Sequence, residues 1–115
     1  MAAAKHNLVI EQGVDFSLEI TLKNADGTAI DLTNSTFTSK IRRSPETDAI
    51  QYSGSDMEFV DSNKTNAGGV TFTLIAAKTA VLPGDNLIYD IFRTTSGSQF
   101  RDLEGEIEVI ERVTY

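Results

Sequence analysis

Residues 14–22, VDFSLEITL, alternate without a break: Val14, Phe16, Leu18, Ile20 and Leu22 on one side, Asp15, Ser17, Glu19 and Thr21 on the other. A period of two is the mark of a β-strand with one buried and one wet face. Asn24-Ala25-Asp26-Gly27 follows, and its Asp-Gly pair supplies the positive φ that a tight reversal needs. The chain is therefore expected to turn back on itself there, and the same grammar recurs. In STFTSKIRR, Phe37 and Ile41 oppose Thr36, Thr38, Lys40 and Arg42. MEFV at 57–60 reads as a strand, IQY at 50–52 as a short one, and VTFTLI at 70–75 turns Phe72 and Leu74 inward with Thr71 and Thr73 outward.

Two segments depart from this simple alternation. AAKTAVL, 76–82, holds helix formers for about two turns before Pro83-Gly84 forbids continuation, because proline lacks a donor and restricts the residue before it. A short helix crossing between sheets is expected, with Ala80, Val81 and Leu82 plugging the open end of the core. NLIYDIFR, 86–93, is apolar on both sides, with Leu87, Tyr89 and Ile91 on one and Ile88 and Phe92 on the other, Asp90 between them. Such a strand is either central and covered twice, or meets a partner with its second face. FRDLEGEIEVIERVT closes the chain, with Leu103, Ile107, Val109 and Val113 opposing Glu104, Glu106 and Glu108, and with Gly105 marking a bulge or a close backbone approach.

About seven short strands with turn signals every ten residues or so predict an all-β, immunoglobulin-like β-sandwich with one short crossover helix. At 115 residues the chain suits one domain, expected over 8–115, with residues 1–7 as an N-terminal arm that orders only on assembly. It has no cysteine, so its stability must come from the core, and a reducing cytosol suits its synthesis. No apolar run approaches a membrane span, and Leu8-Val9-Ile10 is too short for a signal-peptide core. The net charge of -7 offers no basic footprint for nucleic acid, which turns the expectation toward protein partners.

Chemistry finds little purchase in the sequence. His6 is the only histidine and has no serine or cysteine motif beside it, whereas nucleophilic catalysis needs a positioned base and an orienting third group. The ladder Glu104, Glu106, Glu108 suggests calcium, but same-face neighbours on a strand lie about 7 Å apart, too far for one ion to gather all three. It reads better as a solvated face that Lys40 and Arg42 pair with across strands. DSNKTNAGG, 61–69, lacks the closing glutamate of a calcium loop, and NAGGV lacks the lysine of a phosphate loop. No catalytic residue, metal, cofactor or small-molecule substrate is expected.

Three phrases carry a resemblance. DLTNSTFTSKIRR (31–43), GGVTFTLIAAKTAVLPGDNLIYDI (68–91) and FRDLEGEIEVIERVT (100–114) resemble, in matching order, phrases of small tailed-bacteriophage virion domains such as the N-terminal domain of baseplate upper proteins. The similarity spans roughly residues 8–114. It implies an immunoglobulin-like sandwich and a non-enzymatic virion structural protein, a tail or baseplate assembly or adaptor subunit made in the bacterial host cytoplasm. Thr79, Leu82, Pro83, Tyr89 and Asp90 match the phrase whose role there is the inter-sheet crossover. In that group the domain often carries a fibre or receptor-binding head; this sequence ends at Tyr115, which favours a docking module alone. The implied partners are other virion proteins and further copies of the chain, with Ile88, Phe92 and Ile110 as candidate interface residues. A head-decoration or neck protein is the nearest alternative. A carbohydrate-binding or adhesion module is the alternative of another class, for which Tyr52, Phe59, Phe100 and Tyr115 are the available aromatics.

Overall fold

Each alternating segment must bury one face, and the chain does so by pairing its strands into two sheets that close on each other. The computed structural model describes residues 4–24, 26–84 and 86–113. In chain order the strands are β1 (Ala4–Lys5), β2 (Leu8–Glu11), β3 (Phe16–Thr21), β4 (Thr36–Arg42), β5 (Gln51–Tyr52), β6 (Ser55–Asp56), β7 (Val60–Ser62) and β8 (Gly69–Leu74). A single helical turn, α1 (Ala76–Thr79), then leads to β9 (Asn86–Thr95) and β10 (Ser98–Ile110).

One sheet sets β9 antiparallel between β4 and β10, with β1 and β2 running parallel along the other side of β10. The second sheet is antiparallel, β3-β8-β7, and β5 and β6 form a separate hairpin whose turn residues Ser53 and Gly54 both take positive φ. This is an immunoglobulin-like β-sandwich. Among the described residues there are ten strands, seven of them of three or more residues; the seven include Leu8–Glu11, which the sequence pattern does not mark, while the expected IQY strand shortens to the two residues of β5. Between the sheets, Ile10, Leu32, Ile41, Leu74, Leu87 and Ile107 have no exposed surface. Phe72 meets Phe37 edge-on at 5.1 Å between ring centres, and Phe59 meets Tyr89 at 5.8 Å.

The N-terminal segment differs from expectation. Residues 4–7, assigned to a free arm, lie along β10: Ala4 and Lys5 pair with Leu103 and Glu104, and the His6 amide donates to the Glu104 carbonyl at 2.8 Å. The Glu106 amide donates to the Asn7 Oδ1 at 3.0 Å, so a side chain fills the break in the ladder before β2 begins. Gly105 allows this contact, because a Cβ there would collide with the His6 carbonyl oxygen. The close approach expected at Gly105 is thus present, while the bulge falls between Arg101 and Leu103.

Alternation also overran several strand ends. Val14 is 49% exposed, because Gly13, at φ +78°, turns the chain before β3 starts at Phe16. Val113 lies past the end of β10 and is fully outward. Strand β7 starts at Val60 rather than Met57, since the Phe59 amide bonds to the Ser39 Oγ at 2.8 Å instead of a ladder carbonyl. At the crossover Leu82 is buried as expected, but Val81 faces out and Thr79, with no exposed surface, takes its place in the plug.

Candidate functional site

Alternate residues of a strand face opposite ways, and β9 shows the consequence. Leu87, Tyr89, Ile91 and Arg93 are buried against the second sheet, while Ile88, Asp90 and Phe92 are half-buried on the outer face. Strand β9 is central in its sheet, between β4 and β10, and its outer side chains keep part of their surface exposed. Cross-strand register aligns three outer rows: Thr38, Phe92, Arg101; then Lys40, Asp90, Glu104; then Arg42, Ile88, Glu106. Lys5 extends the middle row beyond Glu104. Charge is thereby sorted by strand, basic on β4 and acidic along Glu104, Glu106 and Glu108 of β10, with Ile88 and Phe92 between them. A shallow concavity of about 420 Å³ lies over these rows, lined by Lys5, Lys40, Arg42, Ile88, Asp90, Glu104 and Glu106 among others.

The expected pairing of Lys40 and Arg42 with the glutamate ladder is not made. Strand β9 stands between β4 and β10, putting the two sets about 10 Å apart across the sheet. Lys40 pairs instead with Asp56, whose carboxyl is held below the usual range by hydrogen bonds from Lys40 and from Gln51. Arg42 donates to the Thr47 carbonyl, and Arg101 reaches Glu104 at 3.5 Å. Burial pushes the Asp90 pKa up; Arg101 and Arg42 act against that shift, and Glu104 adds to it.

Ile88 and Phe92 therefore share one patch. Ile110, 43% exposed, belongs to the same side of β10 but pairs with Glu11 of β2, four residues and about 13 Å along the strand from Glu106. It stands outside the three rows.

Beneath this face lies a feature that sequence reasoning missed. Arg93 is 6% exposed, and its Nε donates to the Asp102 Oδ2 at 2.7 Å, while Nη1 donates to the Thr95 Oγ1 at 3.3 Å. Its guanidinium also stacks on Phe100, 4.5 Å from the ring centre. The bulge between Arg101 and Leu103 is what turns Asp102 toward it. The signal was present in the sequence: Arg93 continues the inward parity of Leu87, Tyr89 and Ile91.

Three of the phrase residues, Thr79, Leu82 and Tyr89, hold the N-terminal segment, while Asp90 lies on the outer face. The Thr79 hydroxyl accepts from the Gly13 amide at 3.0 Å and donates to the Val14 carbonyl at 2.9 Å. The Leu82 carbonyl accepts from the Gln12 Nε2 at 2.8 Å, and the Tyr89 hydroxyl donates to the His6 carbonyl. Burial raises the Tyr89 pKa to about 12, which keeps that donor protonated.

Other sequence candidates resolve into ordinary structure. His6 is exposed, and toward the described residues its backbone amide and carbonyl are engaged. Among the described residues no group of three His, Cys, Asp or Glu side chains is placed to hold a metal ion; Asp61, in the oxygen-rich loop, pairs with Lys64 at 3.3 Å. No described helix is long and apolar enough to cross a membrane. Of the aromatics considered for a glycan platform, Phe59 is core, Tyr52 lies under Lys78 and Phe100 stacks on Arg93, while Tyr115 lies outside the described residues.

No protein-family model and no curated protein matches the chain. A solved structure from a photo-crosslinking study of multimeric cell-adhesive interactions of VGSC beta subunits superposes with a TM-score of 0.53 at 13% identity, covering 94% of this chain and 93% of that chain. That likeness shows the immunoglobulin-like fold.

Proposed function

We propose that the chain is a non-enzymatic structural protein of a tailed-bacteriophage virion, an assembly or adaptor subunit of the tail or baseplate that docks to copies of itself or to other virion proteins. The supporting observation is the agreement between the three resembling phrases and the fold they imply. Thr79, Leu82 and Tyr89, all in the crossover phrase, each bond to the segment 6–14, which supports reading the phrase as closure of the sandwich. Docking falls to the outer face of the five-stranded sheet, where Ile88 and Phe92 lie between sorted charges. Neither a membrane nor nucleic acid nor a small-molecule substrate enters this reading. A head-decoration or neck protein would use the same fold and face, and differs only in its place on the particle.

Particles purified from the host that makes the chain test this reading. Peptide mass spectrometry is expected to find the chain in them in multiple copies, and immunogold labelling to place it on the tail. A chain that stays in the soluble fraction and is missing from the particles contradicts it.

A further inference from the structure

The three outer rows have a symmetry consequence. Each row begins on β4, crosses β9 and ends on β10, so Lys40 stands level with Glu104, Arg42 with Glu106, and Thr38 with the basic Arg101. We infer that this face is a self-complementary docking surface for a second copy of the chain, related by a two-fold axis lying in the interface parallel to β9. Such an axis carries β4 of one copy over β10 of the other without changing height along the strand. Lys40 then meets Glu104 of the second copy and Arg42 meets Glu106, each pair occurring twice. Ile88 and Phe92 meet their own counterparts on the axis. A two-fold axis across the strands at Asp90 would instead lay Lys40 on Lys40 and Glu104 on Glu104; Arg101 would then meet Glu106, but Arg42 would meet only Thr38, so fewer opposite charges pair and like charges meet at the centre.

The present ion pairs do not oppose this exchange. Lys40 with Asp56 and Arg101 with Glu104 are exposed pairs, 46% and 36%, and 48% and 39%, and such pairs are worth little and reform readily. Aligned sheets pack at about 30° to each other, so the rows nearest the crossing point, those of Asp90 and Ile88, are the ones that stay in register. Asp90 meets its own counterpart there, with Lys40, Arg42, Arg101 and Glu104 around it, and this like-charge contact weakens the pair.

Four strands at about 4.8 Å spacing and about seven residues at 3.3 Å rise give a projected footprint near 440 Å². Standard stable interfaces bury about 800 Å² per partner, so the free dimer is weak, populated in solution only at high protein concentration, and is strengthened by the local concentration of a symmetric assembly. The inference rests on the virion reading only for that local concentration.

Sedimentation velocity across concentration tests it with two charge-reversed variants. The wild type is expected to show a monomer–dimer equilibrium that salt weakens. Lys40→Glu/Arg42→Glu and Glu104→Lys/Glu106→Lys are each expected to be monomeric, with a folded circular dichroism spectrum, while an equimolar mixture of the two forms a 1:1 heterodimer. Asp90→Asn is expected to tighten the wild-type dimer severalfold. A mixture that stays monomeric, or variants that dimerise alone as well as the wild type does, overturns the inference. A monomeric wild type that is nonetheless present in particles overturns it too, and leaves the virion reading standing.

Discussion

The inner and outer halves of β9 share a backbone and divide the work. Inward, Leu87, Tyr89, Ile91 and Arg93 are held by the core, by the His6 carbonyl and by Asp102. Outward, Ile88, Asp90 and Phe92 lie half-buried in rows whose charges are sorted by strand and engaged only in exposed local pairs. Residues one position apart should therefore respond in different ways: inner changes lower stability, and outer changes leave the chain folded and alter its association.

The largest effect is expected from Asp102→Ala, which leaves the Arg93 guanidinium buried without its carboxylate. Removing one partner of a buried pair costs about 3–5 kcal/mol, and a urea titration should show it. Thr79→Val comes next: it removes the buried hydroxyl shared by Gly13 and Val14 and leaves two part-buried backbone groups without that partner, at a cost of about 1–2 kcal/mol by thermal melting. Tyr89→Phe loses one hydrogen bond to His6, about 1 kcal/mol, and hydrogen exchange should show residues 4–11 opening before the rest of the molecule.

Outer changes are smaller in stability. Ile88→Thr keeps a β-branched strand residue, so its stability change should be about 0.5 kcal/mol or less, while dimerisation falls away in sedimentation. Asp90→Asn sharpens the comparison through pH. Burial raises the native pKa of Asp90 above its ordinary 3.8, so the native chain binds that proton more readily than the unfolded chain does. Ionised Asp90 thus diminishes stability at neutral pH, and the loss is recovered as pH falls through the native value toward 3.8. The Asn variant is expected to be slightly more stable than wild type at neutral pH, with the gap closing on acidification.

Local rules made much of this legible. Alternation found β3, β4, β8 and β10, the apolar run of NLIYDIFR found β9, and Pro83-Gly84 marked the end of the crossover turn, because a pleat and a proline act within a few residues. What escaped depended on distant partners. Four residues, Leu8–Glu11, become a strand only because β10 lies alongside, about a hundred positions later in the chain. Val14 and Val113 keep the alternating pattern past the points where pairing stops. Strand order was equally silent: with β9 between β4 and β10, Lys40 and Arg42 cannot reach the glutamates that the pattern suggested for them. The patch was half legible, since Ile88 and Phe92 share it and Ile110 does not.

The division of β9 is read most directly from its isoleucine methyl groups, labelled with carbon-13 and followed by NMR as the wild-type chain is concentrated. Ile88 faces outward, Ile91 inward, and Ile75, 54% exposed beside the crossover, serves as an exposed control. The expected result is a progressive shift of the Ile88 signal, with those of Ile91 and Ile75 staying in place. An Ile88 signal that never moves, or an Ile75 signal that moves in its stead, contradicts the assignment of the outer face to assembly.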